Sequence, residues 1–227
     1  MKQKIIIIIL AMTILTFNQA SRAVLKGPYG ALGLGQTRIQ IPAGNFFNAQ
    51  PLGGQTTTMV GELDGKIMLG YNFFKYFGVE GSFADYARSQ YSAYVVNGPS
   101  AHLKYTMSAL NLVGKGYLPF SLAWLKIDIY GLAGFAYTFS NVNYMNTGVP
   151  FANDVNASAF TLGGTNTSSI RPIVGAGVNY DIPKTAVSLA IEFTRISGIG
   201  NLRTNERAIP SAEMLTLNIY YNFSPLL

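Results

Sequence analysis

The charged residues that could do chemistry in this chain lie within apolar segments. Four are acidic and four are basic: Asp64, Glu80, Asp128, Glu192, Lys66, Lys115, Lys126 and Arg171. Ion pairing is the simplest chemistry for such a balanced set, because buried charges are tolerated when they are paired. Glu80 and Glu192 could also mimic a carboxylate pair for acid–base work, but their basic companions favour structural pairing.

Nucleophilic and metal chemistry have few residues to use. The chain has no cysteine and one histidine, His102, which lies close to Ser100. A nucleophilic serine needs a base and an orienting group, and no spaced Ser/His/Glu motif is present. Metal binding would rest on scattered carboxylates. We therefore predict no enzyme, cofactor or metal site, with a lipid-modifying enzyme at His102 as a remaining alternative.

The elements that must position these charges are β-strands with one apolar and one polar face. Over residues 215–223 the odd-numbered residues are apolar, and Thr, Asn or Tyr alternate with them. This period of two predicts a strand. The same period divides the chain into eight strands, at 28–40, 60–73, 76–88, 103–117, 124–140, 170–181, 185–197 and 212–223.

The N-terminus has the three parts of a secretory signal peptide. Lys2 and Lys4 precede the apolar run 5–17, and Ser21-Arg22-Ala23 offers a cleavage site. The run is shorter than the roughly 20 residues that a spanning helix needs. We expect residues 1–23 to be removed and residues 24–227 to form one domain.

Composition favours a membrane protein without a spanning helix. The chain is 49% hydrophobic and 11% charged, against about 25% charged in soluble domains. Its hydrophobicity lies in alternation, which indicates an all-β, eight-stranded antiparallel up-and-down transmembrane β-barrel in the outer membrane of a Gram-negative cell. Removal of residues 1–23 lowers the net charge from +6 to +3, and no basic stripe indicates nucleic acid.

Short and long connections alternate along the chain. Residues 74–76, 118–123 and 182–184 are short, whereas 41–59, 89–102, 141–169 and 198–211 are long and polar. This asymmetry is typical of outer-membrane barrels and places both termini on the periplasmic side. Aromatic residues near the short turns predict a periplasmic aromatic girdle: Tyr71, Phe73, Phe74, Tyr76, Phe77, Tyr117, Phe120, Trp124, Tyr180, Tyr220, Tyr221 and Phe223.

The cost of exposing charge to lipid sets the direction of each strand. A Lys or Arg that faces lipid at mid-membrane costs about 2–4 kcal/mol, so all eight charges are predicted to point inward. The interior of an eight-stranded barrel is just wide enough for side chains to fill. We expect a closed, salt-bridged lumen, and a gated ion path through the same charges is the alternative.

Several segments resemble the OmpA-like membrane domain. The first strand is similar over 27–35, the next hairpin over 69–83, and the following pair at 115–119 and 128–135. Segments 174–180, 190–193 and 214–223 resemble the last three strands. The resemblance implies an eight-stranded barrel with an inward acid–base network, in which Glu80 and Glu192 occupy matching positions. The periplasmic peptidoglycan-binding domain of OmpA has no counterpart, so the resemblance is to barrel-only relatives, some of them adhesins or serum-resistance factors.

The predicted function is that of a non-catalytic, surface-exposed outer-membrane barrel. The longest connection carries four candidate contact residues: Tyr144, Met145, Phe151 and Phe160. Aromatic residues on an exposed loop can anchor a partner, or they can pack on the loop itself or on lipopolysaccharide. The expected partners are outer-membrane lipid and lipopolysaccharide, the envelope assembly machinery and a host surface ligand. A narrow pore for small solutes is the alternative function.

Overall fold

The computed structural model describes residues 26–40, 56–58, 63–94, 100–122, 125–146, 167–198 and 211–223. Nine strands run through these ranges: β1 Gly27–Gln40, β2 Thr56–Thr58, β3 Leu63–Phe74, β4 Phe77–Tyr94, β5 Ser100–Leu122, β6 Leu125–Asn146, β7 Thr167–Asp181, β8 Val187–Ile196 and β9 Ser211–Asn222. Within them no helix has the length and apolar character to span a membrane.

Eight of these strands close into an antiparallel up-and-down β-barrel, which confirms the predicted fold class. Their order around the barrel is β1, β3, β4, β5, β6, β7, β8 and β9, and β9 pairs with β1. The short β2 lies outside this sequence and pairs with the far end of β4, where Thr58 is opposite Tyr91. Closure leaves the main barrel without an unpaired edge.

The alternation of side chains is the reverse of that in a soluble protein. Large apolar residues on all eight barrel strands face outward; Leu63, for example, is 73% exposed and Leu217 is 57% exposed. Between the large apolar residues of the outer wall, charged and amide side chains such as Lys66, Lys115 and Asn218 face the lumen, where Glu80 and Glu192 are completely buried. For the seven predicted charges whose side chains are described, burial agrees with the predicted register, because a shift by one residue would turn every side chain to the other face.

The predicted strands are correct in number but too short on the side of the long connections. β4 continues to Tyr94, β5 begins at Ser100, β6 continues to Asn146 and β7 begins at Thr167. Most of the predicted connection 89–102, and both ends of the predicted connection 141–169, are therefore strand. Large aliphatic residues are sparse there, and a β-bulge between Tyr86 and Ser89 interrupts the period of two in β4, so the apolar pattern did not indicate these strand ends.

The short turns and both described chain ends lie together. Gly27 pairs with Asn72 beside the turn that joins β3 to β4, and Asn222 pairs with Tyr29. The predicted turn 118–123 is too long, since β5 continues to Leu122 and β6 begins at Leu125. The signal peptide predicted over residues 1–23 lies outside the described residues.

The predicted aromatic girdle is partly correct. Tyr71, Phe73, Phe74, Tyr76 and Phe77 are exposed on the outer wall near the first short turn, as are Tyr221 and Phe223 near the end of β9. Two other members, Tyr117 and Tyr220, instead contribute to the lumen. The side chains of Phe120 and Trp124 lie outside the described residues.

Candidate functional site

Four of the predicted charges meet in the lumen and form what we call the charge network: Lys66, Glu80, Lys115 and Glu192. Lys66 Nζ lies 2.6 Å from Glu192 Oε1 and 3.5 Å from Glu80 Oε1. Lys115 Nζ lies 2.5 Å from Glu80 Oε2 and 3.1 Å from Glu192 Oε2. Each cation therefore contacts both carboxylates, and the network has no net charge.

Burial makes this geometry necessary. The four side chains are at most 4% exposed, so an unpaired charge among them would cost several kcal/mol. They come from four different strands, β3, β4, β5 and β8, and they meet because each points inward at the same depth of the lumen. Long-range contacts between strands thus assemble the network, rather than any local sequence motif.

Four tyrosines surround the charge network on the side of the short turns. Tyr29 donates a hydrogen bond to Glu80 Oε2 at 3.0 Å, and Tyr130 donates one to Glu192 Oε2 at 2.8 Å. Lys115 Nζ donates to Tyr220 Oη at 3.0 Å and lies 4.9 Å from the centroid of the Tyr130 ring. Tyr117 donates to Asn72 Oδ1 at 3.3 Å. The hydroxyls supply hydrogen bonds that the charged groups need away from water.

Two glycines make room for these rings. A Cβ at Gly70 would collide with the Tyr29 ring, and a Cβ at Gly177 would collide with the Tyr130 ring. Gly70 pairs with Glu80, and Gly177 pairs with Glu192. Each tyrosine therefore passes over the strand that carries the glycine and reaches the carboxylate on the strand beyond it.

The other predicted charges lie apart from the charge network. Asp64 accepts a hydrogen bond from Thr37. Asp128 is buried towards the short turns, where its cross-strand neighbour is Asn179. Lys126 lies in β6, but its side chain is outside the described residues. The structure therefore does not place all eight charges in one site.

Arg171 lies in the half of the lumen nearer the long connections. Its Nη2 is 2.8 Å from Met107 Sδ, and its Nη1 donates to the Ser197 carbonyl at 3.4 Å. This half of the lumen is largely apolar, with Tyr86, Tyr105, Ile173, Ile196 and Met214 among its buried residues. Side chains thus fill the lumen on the far side of the charge network as well.

An open cavity lies between the tyrosines and the short-turn end. Its volume is about 410 Å³, and its lining includes Tyr29, Tyr117, Asn72, Asn179 and Asn222. Lys115 also lines it, so the charge network forms the inner limit of the cavity.

Of the predicted loop contacts, the structure describes only backbone positions. Tyr144 and Met145 lie in β6, not in a loop as predicted, and their side chains are outside the described residues. Phe151 and Phe160 lie outside the described residues altogether. The side chain of His102 is also outside them, although its backbone pairs with Ser92 and Met145.

Sequence reasoning missed the tyrosines of the lumen. Tyr130 lies two positions from Asp128 on the same strand, and Tyr220 lies two and four positions from Asn218 and Thr216. Residues at such spacing share one face of a strand, so the alternation of side chains was the signal that these tyrosines point into the lumen. Tyrosines near a turn are also typical of an outer girdle, and that expectation was wrong for Tyr117 and Tyr220. In the described part of the chain no three His, Asp or Glu side chains gather as a metal site.

Comparison with known proteins identifies similar sequences and folds. A family model described as the OmpA-like transmembrane domain matches residues 35–225. An uncharacterized protein of Coxiella burnetii is 26% identical over 175 residues, which are 70% of this chain and 68% of that protein.

Similar solved structures include two small barrels. The N-terminal β-barrel domain of Pseudomonas aeruginosa OprF has 12% identity and a TM-score of 0.48, with 87% of this chain and 98% of that chain covered. Neisserial surface protein A has 14% identity and a TM-score of 0.46, with 87% and 97% covered.

Proposed function

The chain belongs to the OmpA-like transmembrane domain family of outer-membrane β-barrels, and on that premise we propose that it is a non-catalytic scaffold with a closed lumen. The observation that supports this proposal is the charge network. Its four side chains contact one another across the lumen at 2.5–3.5 Å. Because an eight-stranded barrel holds little more than its own side chains, contacts of this kind leave no aqueous path.

Planar-bilayer recording tests the closed lumen. Purified protein that shows the gel mobility of a folded barrel should give no ohmic, ion-selective single-channel current. A porin added afterwards to the same bilayer should conduct, which shows that the bilayer reports channels. Reproducible ohmic currents from the folded protein alone would contradict the closed lumen and favour the pore.

We further propose that the end with the long connections faces the outside of the cell and carries surface contacts. The strand lengths support this. β5 has 23 residues and β6 has 22, and they pair continuously from Leu122 with Leu125 to Ala101 with Asn146. About 9–11 residues suffice to cross the bilayer at a tilt, so roughly half of this hairpin extends beyond the membrane.

The extension is a small sheet in its own right. The ends of β4, β5 and β6 form it, and β2 adds a fourth strand to the end of β4. Such a sheet is a rigid platform for exposed contact residues. Adhesion to a host surface is the proposed use, and the predicted residues Tyr144 and Met145 lie in this part of β6.

Deletion of residues 145–165 tests the adhesion role. Cells that carry this deletion should bind host cells or matrix proteins less than cells with the intact barrel. Deletion of 200–208, in the connection between β8 and β9, serves as the control and should leave binding unchanged. Undiminished binding by the 145–165 deletion variant would contradict a role for these residues in adhesion.

The proposed lack of catalysis has a direct test as well. Lipid A from cells with and without the protein should have the same mass. A mass change that disappears in a His102→Ala variant would show a lipid-modifying enzyme instead.

A further inference from the structure

Three charged residues form one row across the outer wall of the barrel. Arg38 on β1 pairs with Glu213 on β9, and Glu213 pairs with Arg195 on β8. Arg195 Nη1 lies 3.7 Å from Glu213 Oε1, and the Arg195 side chain is 51% exposed. Arg38 is also exposed. We call these three residues the arginine row; it carries one net positive charge.

The depth of the arginine row follows from the residues below it. The next rows on the same wall contain Leu215 with Phe193, Leu217 with Ile191, and Ile219 with Leu189, all facing outward. Phe223, at the opposite boundary, lies ten positions after Glu213. At about 3.4 Å per residue and a tilt of about 40°, these positions are roughly 26 Å apart along the membrane normal. An outer-membrane barrel has an apolar band about 25 Å tall, so the arginine row lies at its upper edge.

An arginine at this height costs little. The cost of an outward Arg or Lys falls from about 2–4 kcal/mol at the midplane to about 0–1 kcal/mol near the interface. Lipid headgroups lie at that height. A guanidinium presents planar, forked donors that match phosphate oxygens.

We infer that the arginine row binds the phosphate groups of a phosphorylated glycolipid, the lipopolysaccharide of the outer leaflet. Arg38 and Arg195 lie on either side of Glu213, which contacts Arg195, and both arginine side chains are exposed on the outer wall. This inference rests on the proposed function, since it takes the end with the long connections to face the outer leaflet.

The opposite wall offers an internal contrast. Among the described residues of β4, β5 and β6, the outward polar side chains near the long-connection end include Asp85, Thr106, Ser108 and Asn141. They line a second cavity together with Tyr137 and Phe139. The carboxylate of Asp85 would repel a phosphate. Arg88 and Lys104 also lie on these strands, with side chains outside the described residues. In the described part of the barrel, the exposed arginines at this height lie on the wall formed by β8, β9 and β1, which is therefore the wall to test.

Lipid A binding to the folded protein in detergent tests the inference. Native mass spectrometry should show that the intact protein retains diphosphorylated lipid A more strongly than enzymatically dephosphorylated lipid A. The Arg38→Gln/Arg195→Gln variant should bind diphosphorylated lipid A about tenfold more weakly, since it loses two charged donors to phosphate. Lys75→Gln/Lys184→Gln, which removes the same charge at the short-turn end, should bind like the intact protein.

Each result has a defined meaning. Equal retention of both lipids by the intact protein, or equal losses in the two double variants, would overturn the inference. Gel mobility confirms that every variant is folded. Ohmic currents would contradict the closed scaffold without affecting the lipid result, so the failure of one proposal is distinguishable from the failure of the other.

Discussion

Replacement of Lys115 by methionine is the most direct test of the charge network. Methionine retains most of the aliphatic chain but removes the ammonium, which contacts Glu80 at 2.5 Å, Glu192 at 3.1 Å and the Tyr220 hydroxyl at 3.0 Å. Both carboxylates are then left with Lys66 alone. Because they are completely buried, one uncompensated negative charge remains in the lumen.

Removal of one partner from a buried ion pair costs about 3–5 kcal/mol. At about 1.4 kcal/mol per factor of ten, the folding equilibrium should fall by roughly 10²- to 10³-fold or more. Urea unfolding in lipid vesicles measures this change, and fluorescence of the single tryptophan, Trp124, reports it. Lys184→Met, at an exposed turn position, is the control and should change stability by less than about 0.5 kcal/mol.

A second substitution separates charge from packing. In Lys115→Met/Glu80→Gln the remaining pair, Lys66 and Glu192, is neutral again, so more than half of the lost stability should return. A Lys115→Met protein within about 1 kcal/mol of the unsubstituted protein would refute the reasoning, because it would lie below the range for a buried ion pair. The reasoning would also be refuted if the Lys115→Met/Glu80→Gln protein were no more stable than the Lys115→Met protein.

Three further substitutions test other parts of the barrel by the same urea unfolding. Gly177→Ala should destabilise the barrel by about 1–3 kcal/mol, because the new Cβ meets the Tyr130 ring. Gly131→Ala, with open space around its Cβ, is the control and should not destabilise the barrel. Equal losses of stability in the two variants would contradict the tight contact at Gly177. Tyr130→Phe removes the donor to Glu192 and should cost about 1.5–3 kcal/mol; an unchanged midpoint would show that this hydrogen bond adds nothing. Leu217→Arg places a charge on the lipid face and should cost about 2–4 kcal/mol in vesicles, and a neutral result there would contradict the membrane depth assigned to this row.

The fold could be predicted because lipid imposes a strict rule on every strand. A single lysine in an apolar segment, such as Lys66 or Lys115, fixes which face is inward, and parity then assigns all other residues of that strand. The same rule fails where strands leave the membrane. Outside the membrane, lipid no longer selects large apolar residues. In β4 a β-bulge between Tyr86 and Ser89 also interrupts the alternation, so the end of this strand was interpreted as a loop.

Pairing within the lumen could not be predicted in the same way. The alternation of side chains along a strand shows that Asp64, Asp128 and Arg171 point inward. The position of each side chain along the barrel axis also depends on how neighbouring strands are staggered, and the sequence of one strand does not specify that stagger. Asp64 lies two residues before Lys66, yet its carboxylate accepts from Thr37 while Lys66 reaches Glu192 on β8. The tyrosines are equally hidden, since only the glycines opposite Tyr29 and Tyr130 let their rings enter the lumen.

The arrangement of the lumen argues against a conducting state in the described fold. To open a path, Lys66 would have to leave Glu192 while Lys115 left Glu80, since each lysine bridges both carboxylates. At about 3–5 kcal/mol for each buried charge left without its partner, the open form would be populated below roughly one part in 10⁴. The apolar layer around Met107 and Ile173 would still close the other half. Under the proposed function, breaking the charge network is therefore unfavourable, and we expect partner contacts at the outer wall and the extended strands.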